Sequence, residues 1–365
     1  MKIADIIKVF DEAAPVELQE SYDNAGLIIG SPDDEVKAAL ITLDVTEEVI
    51  EEAINLKCDL IIAHHPLIFK GLKSLGRKNP VERMAITCIR NNIAVFAIHT
   101  NLDNVLTGVN RRICDKLKVK NPVVLEPKRQ QMRKLVTFCP ADYTDKVRIA
   151  IFEAGAGHIG DYDYCSFNVS GQGTFRGLEG ATPFVGKVNE LHFENEVRIE
   201  TIFPVYRQRQ IVEALLSAHP YEEVAYDIYP VTNEYNIVGA GMIGSLDSPV
   251  ETEVFFERIK NVFNAKSIRH TKLIFDKIQR VAVCGGSGSF LLGSALARKA
   301  DIFVTADVKY HDFFEADGKI IIADIGHFES EQFTPELIKD ILLEKIPTFA
   351  TRLSQVNTNP VFYYL

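Results

Sequence analysis

The sequence of 365 residues contains no tryptophan, only six cysteines and no long apolar run. The cysteines are scattered without CxxC spacing, so the sequence predicts neither a disulfide framework nor a thiolate metal site. No segment approaches the roughly 18 consecutive apolar residues of a membrane helix. The segment that follows Met1 lacks the layout of a signal peptide, so a cytoplasmic protein without a membrane partner is expected.

The sequence has fewer basic than acidic residues: 40 Lys and Arg against 50 Asp and Glu, which gives a net charge of −10. General nucleic-acid binding needs a positive surface, so a nucleic-acid partner is not expected. An apolar content of 47% is ordinary for a globular protein. The length allows two or three domains with cores of their own.

The first third of the chain, residues 1–129, alternates predicted strands and helices. Strands are predicted at residues 37–44, 59–63 and 93–98, and helices at residues 46–55, 81–91 and 110–117. The helix at 46–55 opens with a threonine cap and an acidic first turn. Strands separated by helices predict right-handed crossovers and a mainly parallel sheet.

The last third, residues 233–365, repeats this scheme, with strands predicted at 279–284, 300–305 and 319–324 and helices at 290–299 and 334–345. Residues 57–65 align with residues 299–307. The next predicted strands end in His99 with Asp103 and in His327 with Glu331, two His-x3-carboxylate units in the same order. We therefore expect two halves related by a pseudo-twofold internal repeat.

The middle, residues 130–232, has a strand-helix-strand pattern that occurs twice, which is typical of a ferredoxin-like α+β domain. The glycine-rich stretches Gly155–Gly157 and Gly171–Gly173 are expected to form loops. We predict that this domain is inserted between the two α/β halves, so that the outer domain is discontinuous.

Histidines and carboxylates follow the predicted strand ends, where open α/β sheets bind their ligands. His64 and His65 end the apolar run at 59–63, and alone they could simply be histidines that cap a strand. Together with the two His-x3-carboxylate units they favour a divalent metal site, because imidazole and carboxylate are ligands of borderline metals. His311 could be a proton donor or a surface histidine.

The same segments resemble the NIF-three-like family, whose members carry the label GTP cyclohydrolase 1 type 2 homologue. The matching segments are 21–27, 63–69, 99–103 with 108–110, 305–311 and 326–331. The resemblance implies a dinuclear metal centre held by His64, His65, Asp103, His327 and Glu331. On that pattern His99 is not a ligand, and His99 and His311 remain candidates for proton transfer.

The middle resembles the inserted module of long bacterial members, which is similar to CutA and PII-like domains. The resemblance also implies a toroidal homohexamer with the metal centres facing an internal cavity.

Two functions fit these expectations. The first is a metal-dependent hydrolase with two divalent ions per chain, zinc before manganese or iron, acting on a nucleotide or a related phosphorylated small molecule. The alternative is a non-catalytic metal carrier or regulatory protein whose inserted domain senses a ligand.

Overall fold

A computed structural model describes residues 1–76 and 78–364, and it has a mixed α/β architecture with several sheets. The chain divides into two compact units. Unit 1 combines Met1–Pro127 with Asn236–Leu365, and unit 2 is Lys128–Tyr235.

The strands, numbered along the chain, are β1 (Gly26–Ile29), β2 (Ala38–Thr42), β3 (Leu60–Ala63), β4 (Ala94–Ala97), β5 (Lys120–Pro127), β6 (Met132–Pro140), β7 (Phe167–Arg176), β8 (Leu191–Pro204), β9 (Tyr226–Val231), β10 (Gly239–Glu251), β11 (Arg269–His270), β12 (Lys277–Ser287), β13 (Ile302–Ala306), β14 (Ile321–Asp324) and β15 (Ala350–Leu353).

The α-helices are α1 (Ile3–Ala13), α2 (Glu47–Asn55), α3 (Pro80–Arg90), α4 (Thr100–Asp103), α5 (Val109–Leu117), α6 (Thr144–Glu153), α7 (Gln208–Ala218), α8 (Thr252–Phe263), α9 (Leu292–Ala297), α10 (His327–Glu331) and α11 (Thr334–Lys345). No helix in the described part of the chain is long and apolar enough to cross a membrane.

The first sheet of unit 1 has the strand order β1-β4-β3-β2-β15. β2, β3, β4 and β15 run parallel, and β1 is antiparallel to β4. All four residues of β3 are buried, which explains why this strand is a continuous apolar run rather than an alternating one. The sequence prediction of a mainly parallel sheet is confirmed for this half.

The second sheet of unit 1 has the order β11-β14-β13-β12-β10-β5. Only β12, β13 and β14 are parallel, and the outer strands pair antiparallel. The sequence analysis found the three parallel strands and missed β10. Its segment 239–251 contains three glycines, which weaken a strand pattern. Gly239 has a φ of +157° and lies so close to Glu126 that a Cβ would be 2.1 Å from its carbonyl oxygen, an approach that requires glycine.

Unit 2 contains one antiparallel sheet in the order β7-β8-β6-β9, together with helices α6 and α7. Its core contains Leu135 and Phe203 from the sheet, Ile151 from α6, and Ile211 and Leu215 from α7.

The expectation of a loop at Gly171–Gly173 is wrong, because these residues lie inside β7. A Cβ on Gly173 would be 2.0 Å from the Glu196 carboxylate on β8. The glycine therefore makes room for a neighbouring side chain rather than for a turn.

The helices begin close to where the sequence predicted. Thr46 caps α2, since its hydroxyl accepts a hydrogen bond from the Val49 amide at 3.3 Å. The helix predicted at 290–299 is shorter, because Ser289–Leu291 form a turn of 3₁₀-helix before α9.

We expect replacement of Ile61 by alanine to destabilise unit 1, because this β3 side chain is fully buried. The free energy of unfolding should fall by about 2–5 kcal/mol. The measurement is urea unfolding followed by far-UV circular dichroism, since the chain has no tryptophan. Ile89→Ala is the matched control, because Ile89 is 52% exposed and its loss should cost less than about 0.5 kcal/mol. Equal effects of the two substitutions would contradict this packing.

Candidate metal centre

The histidine pair lies where β3 ends. The backbone pairing of β3 with β2 continues past the strand, because the amides of His64 and His65 donate to the carbonyl oxygens of Thr42 and Leu43 at 3.3 and 3.0 Å. The His64 side chain is completely buried, whereas His65 lines a cavity. The pair is thus fixed by the sheet itself.

Two further groups follow strands that lie in different sheets of unit 1. His99 comes just after β4 and precedes α4, whose last residue is Asp103. His327 and Glu331 are the first and last residues of α10, which follows β14. A spacing of four residues places the latter two side chains on the same face of the helix.

These groups converge on the Glu331 carboxylate. Its Oε2 lies 3.1 Å from Nε2 of His65 and 3.1 Å from Nε2 of His327. Its Oε1 lies 3.9 Å from Nε2 of His64, and that nitrogen is 3.7 Å from Oδ1 of Asp103. The structure therefore brings together all five residues that the sequence analysis named as ligands, and their ligand atoms face one another.

His99 also belongs to this cluster. Its ring centroid lies 5.2 Å from those of His64 and His65, and one candidate ligand atom from each of the three histidines falls within 4.8 Å of the others. A second such group consists of His65, His327 and Glu331. His65 is common to both groups.

Each imidazole is anchored through Nδ1. His65 donates from Nδ1 to Asp44 Oδ1 at 2.7 Å, and His327 donates from Nδ1 to Asp307 Oδ2 at 2.6 Å. His64 donates from Nδ1 to the carbonyl oxygen of Ile98 at 2.8 Å. These bonds fix the orientation and tautomer of each ring and leave Nε2 available for an ion.

His99 has the same kind of anchor, since its Nδ1 donates to Asp23 Oδ1 at 2.7 Å. The second oxygen of Asp23 accepts from the amide and the hydroxyl of Thr100 at 3.1 and 2.5 Å. Burial opposes ionisation of Asp23, but the hydrogen bond from His99 and those from Thr100 outweigh it and lower its pKa to about 2. This loop carboxylate therefore stays ionised.

The protonation states differ within the cluster. Burial lowers the pKa of His64 to about 3. Burial also opposes charge on His65 and His327, but their hydrogen-bonded carboxylates outweigh it and raise the pKa values to about 10 and about 11. Burial and the nearby Glu331 charge raise the pKa of Asp103 well above its usual value. Burial also raises the pKa of Glu331, but the adjacent imidazoles of His327 and His65 outweigh it and hold that pKa well below the ordinary range.

Three buried atoms of the cluster fit a metal ion. His64 Nε2, Asp103 Oδ1 and Glu331 Oε2 are buried and make no hydrogen bond of acceptable geometry. Buried polar atoms without partners are costly, and bound metal ions are one way to satisfy them. Imidazole nitrogens and carboxylate oxygens are also the donor set that zinc and neighbouring divalent metals prefer. The residues present therefore fit a divalent metal site.

Gly286, at the end of β12, completes the wall beside Glu331. Its φ is +60°, and a Cβ at this position would lie 2.4 Å from Glu331 Oε1. The Gly286 amide donates to Ser330 Oγ at 2.9 Å. Glycine is required here because the backbone turns and approaches a buried carboxylate at the same point.

The centre opens into a cavity of about 800 Å³ within unit 1. The C-terminal segment, residues 354–364, contributes part of its wall, including Asn359, Val361 and Tyr363. This segment also contacts the carboxylate that anchors His65, since Thr358 Oγ1 donates to Asp44 Oδ2 at 2.6 Å.

The sequence profile of the family described as Duf34/NIF3 (NGG1p interacting factor 3) matches residues 1–360. The chain belongs to the DUF34/NIF3 family. The family resemblance predicted from the sequence motifs is therefore confirmed.

Relatives in the DUF34/NIF3 family extend over the whole chain. A protein of Halalkalibacterium halodurans described as a GTP cyclohydrolase 1 type 2 homolog is 40% identical, and the alignment covers 99% of each chain. A Bacillus subtilis protein with the same description is 36% identical over 97% of this chain and 96% of that one. The crystal structure of a Bacillus cereus protein related to NIF3 is 38% identical, with a TM-score of 0.85 and coverage of 100% and 99%.

The structure does not place every candidate of the sequence analysis in the DUF34/NIF3 centre. His311 is exposed beside Tyr310 and Phe314 and is not among the described residues that line the cavity. The sequence analysis missed the anchoring role of Asp44 and Asp23. Each lies within a few residues of a strand end, but no local pattern links it to a histidine 21 or 76 residues away.

We expect metal binding to this DUF34/NIF3 protein to release roughly two protons per chain at pH 7.5. His65 and His327 carry protons in the metal-free protein at that pH, because their pKa values are about 10 and about 11. An ion at Nε2 must displace these protons, so metal affinity should increase as the pH rises toward those values. Calorimetric zinc titrations in buffers of different ionisation enthalpy measure the count. His327→Ala should release about one proton fewer, and zinc binding without proton release would contradict the assigned states.

Thr358→Val should weaken metal binding by about 3- to 10-fold, because the Asp44 anchor of His65 loses a hydrogen bond. Competition with a chromogenic chelator measures the affinity. Thr358→Ser keeps the hydroxyl and should retain the affinity of the unsubstituted protein. The anchor has no influence on the site if Thr358→Val binds metal as tightly as Thr358→Ser.

Proposed function

We propose that this chain is a dinuclear metal-dependent hydrolase of a small molecule, in the class of nucleotides and related phosphorylated compounds. The observation that carries the proposal is the position of Glu331, whose two oxygens face different histidines. A carboxylate in that position suits a bridge between two ions. The description of the relatives as GTP cyclohydrolase 1 type 2 homologs points toward the same substrate class.

His64, His65, Asp103, His327 and Glu331 would hold the ions, with zinc as the proposed metal and manganese or iron as alternatives. Divalent ions supply Lewis acidity and lower the pKa of water in their coordination sphere from 15.7 to about 7. The protein contributes ring orientation through Asp44 and Asp307.

His99 is the proposed group for proton transfer, because it lies against His64 and His65 and is oriented by Asp23. His311 is less suited to proton transfer, since it lies on the exposed surface.

Three architectural features belong to the proposal as well. The parallel orders β4-β3-β2 and β14-β13-β12 support a pseudo-twofold repeat of the two halves. The sheet and two helices of unit 2 support an inserted ferredoxin-like domain of the PII/CutA type. Assembly into a toroidal homohexamer is proposed from the family resemblance.

Elemental analysis of gently purified protein tests the metal centre. We expect about two equivalents of one divalent metal per chain, and we expect His65→Ala and Glu331→Ala to lose it because each removes a proposed ligand. His311→Ala is the matched control and should keep the metal, since His311 is exposed and does not line the cavity. Absence of metal after reconstitution of the unsubstituted protein would overturn the proposal.

Turnover distinguishes a hydrolase from a metal carrier. Metal-loaded protein should hydrolyse a member of a nucleotide panel, lose this activity with a chelator and regain it on reloading. Two bound metals without product from any member, combined with a conformational response to a ligand, would favour the carrier or regulator instead.

A further inference from the structure

Exposed aromatic side chains line the cavity beside the metal centre. Tyr22, Phe69 and Phe290 line it and are 62%, 44% and 66% exposed. Ligand pockets are lined mainly by apolar and aromatic side chains, so several exposed rings in one cavity are typical of a binding site. The proposed hydrolysis assigns no role to these rings, so their position in the cavity wall needs a separate explanation.

Two of these rings, Tyr22 and Phe69, are continuous with the metal centre. Tyr22 and Phe69 have centroids 6.3 Å apart, and Phe69 meets His99 edge-on at 6.2 Å. The His99 ring in turn lies 5.2 Å from His65. A planar group held against Tyr22 and Phe69 would therefore lie next to the candidate ligands.

The charge of the cavity limits the substrate further. Arg269 is the only Lys or Arg among the described lining residues, and it already forms an ion pair with Asp324 and donates to the Val308 carbonyl oxygen at 2.9 Å. Seven carboxylates line the same space: Glu20, Asp44, Asp103, Asp307, Asp324, Glu329 and Glu331. Two divalent ions together with Arg269 would not balance them, so a di- or triphosphate would meet a net negative environment.

We infer that the substrate of this site is a planar nitrogen heterocycle that presents N–H donors and carries no more than one phosphate. The inference rests on the proposed function and narrows its substrate class. The aromatic faces stack on the ring. Carboxylates such as Glu329, which is buried in the cavity wall, accept hydrogen bonds from its N–H groups.

Calorimetric titration of the metal-loaded protein with guanosine, GMP, GTP and inorganic tripolyphosphate tests the inference, with metal content checked after each titration. Guanosine and GMP should bind, GTP should bind no more tightly than GMP, and tripolyphosphate should not displace guanosine. Tyr22→Ala and Phe290→Ala should each weaken guanosine binding about tenfold, because each removes a stacking surface.

Tyr310→Ala is the matched control. Tyr310 is 73% exposed and is not among the described residues of the cavity wall, so its loss should leave guanosine affinity unchanged. GTP binding more than about tenfold tighter than guanosine would show that phosphates dominate recognition and would overturn the inference. Failure of guanosine and GMP to bind would also overturn it.

The metal content separates this inference from the proposed function. Tyr22→Ala and Phe290→Ala should retain both metals, because neither side chain is a candidate ligand. If they retain metal and bind guanosine normally, the substrate assignment fails while the metal centre stands. If the unsubstituted protein holds no metal, the proposed function itself fails.

Discussion

A buried carboxylate surrounded by imidazoles is the constraint on which the rest of unit 1 depends. Glu331 is 3% exposed, and an ionised carboxylate in that position is stable only if positive or hydrogen-bonding groups compensate for the lost water. His65 and His327 supply this compensation from two different sheets of the unit. Electrostatic attraction as well as apolar packing therefore holds together the carboxyl ends of the strands in those two sheets.

The same requirement explains why the carboxylates beside the Nδ1 atoms of the imidazoles are engaged in hydrogen bonds with them. Asp44, Asp307 and Asp23 each accept a hydrogen bond from the Nδ1–H group of an imidazole. Side chains held in this way lose little further freedom when they bind an ion, so the cost of ordering the ligands falls on folding rather than on binding. The C-terminal segment adds another layer through Thr358.

The sequence was informative where local pattern and position coincide. An apolar run that ends in His64 and His65 marks both a buried strand and its functional end, and the four-residue spacing of His327 and Glu331 places both on one helical face. It was uninformative where the partner is remote. Asp44 looks like any polar residue after a strand. The glycines of β7 and β10 interrupt the strand pattern in the sequence, and in the structure they leave space for neighbouring atoms that a Cβ would clash with.

The order in which the ribosome synthesises the chain determines when the first sheet and the histidine cluster can be completed. β15 pairs with β2, and His65 meets His327 across 262 residues of sequence. During synthesis from the N-terminus, the first sheet remains without its last strand until almost the entire polypeptide has left the ribosome. A product truncated before residue 327 contains His64 and His65 with Asp44 and Asp103, but it lacks His327 and Glu331. The cluster of candidate ligands can therefore form only after residues of both halves of unit 1 have been synthesised.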